Sequence, residues 1–419
     1  MKTSIPATLL DTAQGQEAES ILRACVHCGF CLATCPTYQV EGNELDSPRG
    51  RIYLIKNMLE GEPVTAVTRN HLDRCLTCQA CETTCPSDVN YHRLLAIGRS
   101  TVSNLVPRPL WQQWLRSALV RGFAQRRMVA LLLKMGRPLA GLSPAALRAY
   151  LQPQRAKISP PAVVAGSRSV ILVQGCVQPG LSPTTNAATS WVLAQLGIGT
   201  LTVATEVCCG ALAAHLDAEE RAAQQARANI DAWWPHLDAG AEAIVMTATG
   251  CSNQVIDYGR LLADDPEYAE RAAAVTEKVR DVAQILLAED LSALAVTNAP
   301  RISWHCPCTG QHGQSLDAPV KTVLQRLGFA VPVVRDSHLC CGSAGTYSLL
   351  QPKMAKELRQ RKLLNLESSD PEQIVTANIG CQVHLAGGTN TPVVHWIELL
   401  ARSLQTTIQA PVNSERNHV

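Results

Sequence analysis

Apolar residues recur along this chain with helical spacing in its first third and in short strand-like runs between helices later on. In SPRGRIYLIKNMLEGE, residues 47–62, Ile52, Ile55, Met58 and Leu59 share one helical face, and Ser47-Pro48 supplies a cap and a first-turn proline. From Pro107, PRPLWQQWLRSALVRGFAQRRMVALLLKMGRPLAGL puts Trp111, Trp114, Leu115, Ala118, Leu119 and Phe123 near helical spacing, with Arg116, Arg121, Arg126 and Arg127 among them. Farther on the period changes. VILVQGCVQ precedes a helix expected to end at Leu196-Gly197, and ISWHCPCTGQ precedes one expected to end at Leu327-Gly328. In each case a long helical stretch follows, and then a second apolar run, EAIVMTATGC or EQIVTANIGC. Alternating strands and helices predict two α/β units with mainly parallel sheets. No apolar run approaches the roughly 18 residues needed to cross a bilayer.

Two internal repeats organise the chain. CVHCGFCLATCP carries Cys25, Cys28, Cys31 and Cys35; CLTCQACETTCP carries Cys75, Cys78, Cys81 and Cys85, each displaced by 50 positions. A second repeat, displaced by 132, relates Cys176 to Cys308 and Cys208-Cys209-Gly210 to Cys340-Cys341-Gly342; Cys251 and Cys381 differ by 130. The expected fold is therefore multidomain, α and α/β. It comprises a helical cysteine-bearing domain over 1–105, a basic helical connector over 106–165, and two tandem α/β cysteine-rich domains over 166–297 and 298–419.

At 419 residues the chain has material for two to four domains. The N-terminus has no positive region followed by an apolar run, so a cytoplasmic protein is expected. Seventeen clustered cysteines in a reducing compartment point to metal or redox chemistry rather than disulfides. The net charge of +2 hides a local imbalance, because no Asp or Glu occurs between Asp88 and Glu206. The connector could thus lie on an anionic membrane surface, giving peripheral contact with the inner face of the cytoplasmic membrane. It could equally pack its apolar face on the first domain or on a partner subunit. Gly122 and the glutamines that break that face favour packing.

Both N-terminal motifs follow C-x2-C-x2-C-x3-C-P, the spacing with which bacterial ferredoxins hold [4Fe-4S] clusters. In that pattern the fourth cysteine ligates the other cluster. This implies one set of Cys25, Cys28, Cys31 and Cys85 and another of Cys75, Cys78, Cys81 and Cys35. Zinc would suit four thiolates too, but it usually takes two separated C-x2-C pairs. The 39 residues between Cys35 and Cys75 include the helical stripe described above, so the domain is expected to resemble the helical ferredoxins of succinate dehydrogenase and heterodisulfide reductase iron-sulfur subunits.

Adjacent cysteines have Cα atoms about 3.8 Å apart, below the usual disulfide span. Cys340 and Cys341, like Cys208 and Cys209, are better suited to reach different atoms of one inorganic cluster. A third cluster is open to Cys306, Cys308, Cys340, Cys341 and Cys381, with His305 and His384 as further donors, and the first half offers Cys176, Cys208, Cys209 and Cys251. A lone histidine is more often a hydrogen-bonded core residue. No G-x-G-x-x-G follows a strand and no P-loop occurs, so flavin is not expected in this chain.

These CCG repeats resemble the cysteine-rich domains found in heterodisulfide reductases, in anaerobic glycerol-3-phosphate dehydrogenases and in lactate-utilisation proteins. Together with the ferredoxin motifs, SWHCPCTGQHGQ, DSHLCCGSAGTYSLLQP, VTANIGCQVHL and VVHWIELL, they are similar to the iron-sulfur subunits of bacterial glycolate oxidases. In that family partner subunits bind FAD and oxidise glycolate to glyoxylate. The resemblance implies that this chain contributes no catalytic residue of its own and relays the electrons toward quinone. One departure stands out. The broader pattern ends in C-x2-C, and here that last position is Gln254 in the first half and His384 in the second. Three rivals remain: a subunit serving lactate or glycerol 3-phosphate, a thiol-disulfide reductase using Cys340 and Cys341, and a structural zinc protein.

Overall fold

The computed structural model describes residues 1–143 and 168–409, together with Leu151 and Ile158. The connector expected over 106–165 therefore lies largely outside the described residues beyond 143, as do 166–167 and 410–419 of the two expected cysteine-rich domains.

The N-terminal region is built from helices, the longest being Ala13–Ala24, Pro48–Leu59, Ala66–Asp73 and Tyr91–Leu105. Ser47 Oγ accepts from Gly50 N at 2.9 Å and Pro48 opens the helix, so the first turn is satisfied as its sequence suggests. The stripe Ile52, Ile55, Met58 and Leu59 is buried against Leu22, Leu72, Leu94, Leu95 and Val102.

Beyond the connector lie two all-parallel sheets. The first has the order β2-β1-β3-β4, with β1 at Ser169–Leu172, β2 at Gly199–Leu201, β3 at Ile244–Met246 and β4 at Val279–Asp281. Register pairs Ile171 with Ile244, and Ile244 with Val279. The second has the order β5-β6-β7, with β5 at Ile302–His305, β6 at Gln373–Thr376 and β7 at Val393–His395. A counterpart of β2 is missing among the described residues. Under the 132-residue shift Pro332 replaces Thr200, and proline has no N–H for a ladder.

The two halves are interlocked rather than strung in line. Helix Thr184–Gln195 of the first packs on helix Trp396–Gln409 of the second, and helix Val282–Leu287 of the first packs on helix Asp317–Arg326 of the second. One core spans both, with Leu172, Trp191, Val245 and Leu286 from the first and Trp304, Leu324, Val375 and Leu400 from the second. Because these strands are covered on both faces, they read in sequence as continuous apolar runs. Polar contacts tie the seam. His395 Nε2 donates to Thr247 O at 2.8 Å, Ser182 Oγ donates to Glu398 at 2.6 Å, and Thr249 and Thr309 share a hydrogen bond of 2.9 Å.

The connector forms helices Leu110–Phe123 and Arg126–Gly136. Packing was expected on the helical domain or a partner; the observed contacts lie mainly on the α/β halves. Val120 joins Ala213, Leu216 and Ala222, while Val129 and Leu133 join Leu181 and Val383. Arg108 and Arg116 bridge Asp73 of the helical domain to Asp217 of the first half. The other faces stay open: Leu110, Trp111, Trp114 and Leu115 on one helix, and Met128, Leu131, Leu132 and Met135 on the next, are exposed.

The helical domain sets its second cysteine loop into the cleft between the halves. Thr77 Oγ1 lies 3.3 Å from His215 Nδ1 of the first half, and Thr83 Oγ1 lies 2.9 Å from His312 Nδ1 of the second. Tyr347 Oη donates to Arg74 O at 3.0 Å beside them.

Candidate functional site

Each N-terminal motif folds as a tight loop leading into a one-turn helix. His27 and Gly29 have φ of 58° and 86°, and their counterparts Thr77 and Gln79 have 53° and 62°, so both loops make the same left-handed excursions. The short helices Phe30–Ala33 and Ala80–Thr83 carry Cys31 and Cys81, and the following residues deliver Cys35 and Cys85 immediately before a proline. Two cavities result. Cys25, Cys28, Cys31 and Cys85 line one with Pro86; Cys35, Cys75, Cys78 and Cys81 line the other, and Cys81 also borders the first. Burial pushes the Cys31 thiol up to about 11 and the Cys78 and Cys81 thiols well above the ordinary range. As free thiols these groups stay protonated and neutral, and a metal must displace the proton to bind. Four convergent sulfurs per cavity, with two cavities sharing a wall, suit a pair of iron-sulfur clusters.

A buried charge cluster stands behind the second cavity. Asp46 accepts from Arg74 Nη1 and His71 Nδ1 at 2.9 Å, and Arg51 Nη2 approaches it at 3.5 Å. Arg51 also donates to His71 O at 2.8 Å and to Thr37 Oγ1 at 3.2 Å, and Thr37 Oγ1 lies 3.3 Å from Cys35 Sγ. Burial opposes the charge on Arg51, but the Asp46 carboxylate and the acceptors His71 O and Thr37 Oγ1 around it hold the guanidinium charged. Neither Arg51 nor Asp46 was recognised in the sequence. The available signal was a cation on the buried face, four positions before Ile55.

In the first α/β half, Cys176, Cys208 and Cys209, on loops beyond strand ends, come together with Cys251 in the first turn of helix Thr249–Ile256. The sulfurs of Cys176 and Cys208 are 3.5 Å apart, and the hydrogen bond between them draws the Cys208 thiol down while raising that of Cys176. Neutral side chains latch the loop behind them. Asn229 Nδ2 donates to Cys208 O at 3.1 Å, and Tyr258 Oη donates to Cys209 O at 2.9 Å.

The second half gathers Cys308, Cys340, Cys341 and Cys381. Cys308 and Cys340 have sulfurs 3.8 Å apart, and the sulfurs of Cys341 and Cys381 lie within 4.8 Å of each other. Gly342 has φ +89°, and a Cβ there would lie 2.7 Å from Ala355 O, which explains the glycine of the motif. Strand alternation separates His305 from Cys306. Cys306 follows Ile302 and Trp304 into the core shared by the halves. His305 turns to the opposite face, where its ring nitrogen and the sulfurs of Cys341 and Cys381 lie within 4.8 Å of one another. His384 is engaged elsewhere, with Nε2 3.2 Å from Ala355 O. Lys362, 3% exposed, donates to Asp336 O at 2.7 Å and to Ser337 O at 3.2 Å. Burial holds its ammonium below the usual lysine range, opposed by the nearby thiols of Cys341, Cys340 and Cys308. Sequence reasoning missed it because a lysine on a helix ordinarily faces water.

The second N-terminal cavity abuts this group directly. Leu76, Cys78 and Ala80 share one buried cluster with Cys340, Tyr347 and Met354, with Cys308 at its edge.

Comparisons with known proteins agree with this architecture. Residues 21–89 match the 4Fe-4S dicluster domain family, and residues 170–256 and 302–386 match the cysteine-rich domain family. The glycolate oxidase iron-sulfur subunit of Escherichia coli is 50% identical over 97% of this chain and 100% of its own length. The probable glycolate oxidase iron-sulfur subunit of Bacillus subtilis is 29% identical over 88% of this chain and 89% of its own. Lactate utilization protein A of Shouchella clausii is 24% identical over 52% of this chain and 90% of its own. A hypothetical protein from Helicobacter pylori has the same fold in its crystal structure, with a TM-score of 0.57 at 10% identity, over 97% of this chain and 73% of that one.

Proposed function

The chain belongs to the family of glycolate oxidase iron-sulfur subunits, and we propose that it carries electrons from FAD in partner subunits, where glycolate becomes glyoxylate, toward quinone. It is the electron-transfer component of an oxidoreductase complex and not the part that abstracts hydride. Bound iron-sulfur clusters would supply one-electron acceptance and release. The chain's own residues hold, shield and align them. Cys25, Cys28, Cys31 and Cys85 would hold one [4Fe-4S] cluster, and Cys75, Cys78, Cys81 and Cys35 another. Cys308, Cys340, Cys341 and Cys381 would hold a third. The observation that carries this reading is the seating of the second N-terminal loop against the second-half cysteines, which lines up three sulfur-rich sites in one molecule. Burial of Cys340 and Cys341, 3% and 1% exposed, supports ligation over exchange with a disulfide substrate.

The open faces of the connector support peripheral contact with the inner face of the cytoplasmic membrane. Among the described residues, no helix is long and apolar enough to cross a bilayer. Trp111 and Trp114 are 65% and 75% exposed, Arg121, Arg127 and Lys134 stand among the exposed apolar residues, and acidic residues are missing from the whole surrounding sequence. Tryptophan and basic side chains without carboxylates suit an anionic lipid surface. Substituting Trp111 and Trp114 with serine together should abolish co-flotation with vesicles containing anionic lipid; undiminished flotation would remove this membrane reading.

Cys78→Ser tests the electron-transfer reading in the assembled complex. Reduction of partner flavin by glycolate should persist while quinone reduction stops. Quinone reduction at the native rate would refute it.

A further inference from the structure

The reading of the second-half cysteines as a metal site leaves one buried group without a task. His305 is 2% exposed, and its Nε2 has no hydrogen-bond partner among the described residues. A buried, unpartnered imidazole nitrogen bears the cost of its lost hydration unless something binds it. Strand β5 aims the ring at Cys341 and Cys381, and the three donor atoms lie within 4.8 Å of one another. Thr376, at the end of the neighbouring strand β6, pairs with His305 in register, so the ring's direction is set by the sheet rather than by a loop.

We propose that His305 is a ligand of the second-half site, making it a mixed histidine-thiolate iron-sulfur centre. The donor set is then His305, Cys308, Cys340, Cys341 and Cys381, with Cys306 outside it. Five donors exceed the four of a tetrahedral zinc ion. Cys308 lies beside Cys340, and Cys341, next in the chain, lies with Cys381 and His305, so the five donors form one continuous group. That layout suits a polynuclear centre. Replacing a thiolate by a neutral imidazole leaves less negative charge on the centre and raises its reduction potential. Lys362, whose ammonium is buried beside the same sulfurs, acts in the same direction. The second-half centre is therefore the higher-potential one, and the adjoining Cys78 site is its donor. The first half has neither group: the 132-residue shift puts Val173 in place of His305 and Ile230 in place of Lys362.

The test uses anaerobically purified full-length chain, reduced stepwise and followed by pulsed paramagnetic resonance. One signal should carry nitrogen hyperfine coupling, and Cys381→Ser should abolish that signal while sparing those of the N-terminal octet. In His305→Cys the signal should remain, lose the coupling and shift to lower potential; His305→Val, which installs the side chain tolerated in the first half, should also remove the coupling. Coupling that survives in His305→Cys, its absence from the native protein, or zinc in place of iron at this site would overturn the assignment. In each of those outcomes intact octet signals would leave the electron-transfer reading standing, and their loss would instead defeat that reading.

Discussion

The two α/β halves descend from one pattern and have come to hold their cysteines in different ways. In the first, Asn229 and Tyr258 clamp the carbonyls of Cys208 and Cys209 with neutral hydrogen bonds. In the second, those positions are not used; an imidazole and an ammonium approach the sulfurs from inside the fold. The first arrangement immobilises a loop, whereas the second brings a further donor and a cation to the sulfurs. Position matters as much. The second-half sulfurs touch the buried cluster of the second ferredoxin loop, while the first half meets that loop through the Thr77–His215 contact at its rim. On the proposed reading, duplication produced a scaffold half and a working half on one backbone plan.

Metal content gives the sharpest way to break this contrast. Cys341→Ser should lower iron by about four atoms per chain, and Cys209→Ser should leave it unchanged; equal losses would make the halves equivalent. Elemental analysis of anaerobic protein reads the difference.

Acid titration sharpens it next, because the last strand of each half ends in a different buried group. Asp281 caps helix Val282–Leu287 by accepting from Ala283 N at 2.8 Å, and burial pushes its carboxyl up to about 6. His395 fills the equivalent place, accepting at Nδ1 from Ile397 N at 3.2 Å, and burial holds it at about 4. Since the folded Asp281 binds its proton more tightly than the unfolded chain does, its contribution favours folding at low pH and is lost as pH rises from 3.8 to 6. His395 behaves oppositely, contributing fully above 6.5 and losing that contribution as pH falls toward 4. Each swing is worth about 3 kcal/mol, and the two largely cancel in the native protein. Asp281→Asn should therefore make denaturation midpoints fall more steeply on acidification than in the native chain, and His395→Gln should make them fall less. Parallel profiles for native protein and both variants would contradict the assignment.

The motif glycines offer a smaller contrast. Gly210 and Gly342 both have left-handed φ, so alanine costs about 1–3 kcal/mol at either. A Cβ at Gly342 also meets Ala355 O at 2.7 Å, while at Gly210 the nearest atom, Ala222 O, is 3.3 Å away. Gly342→Ala should accordingly lower the urea midpoint more than Gly210→Ala. The smallest effect belongs to Tyr258→Phe, which strands Cys209 O and should cost on the order of 1 kcal/mol without touching metal content.

Much of this architecture was legible in the chain. Repeated spacing is a one-dimensional record of two loops with one shape, and His27 and Thr77 show how closely the shapes agree. Parallel strands buried on both faces leave continuous apolar runs, so the α/β units were readable too. What escaped were relations between faces. Whether His305 or Cys306 turns toward Cys341 depends on the phase of a four-residue strand, which sequence alone does not set. The seam between the halves was equally hidden, because an apolar stripe on helix Trp396–Gln409 says that it packs but not on what. Lys362 and Arg51 lie on buried helix faces where a cation is exceptional, and only the surrounding sulfurs and carbonyls make sense of them.

The seating of the second ferredoxin loop has a bearing on how the molecule is made in the cell. Its cysteines Cys78 and Cys81, and Cys35 of the first motif, which lines the same cavity, are each no more than 9% exposed, and Thr77 and Thr83 are gripped from both sides by His215 and His312. On the proposed cluster reading, loading is expected while the newly synthesised chain still holds its first hundred residues apart from the rest, and final closure then seals the cargo in.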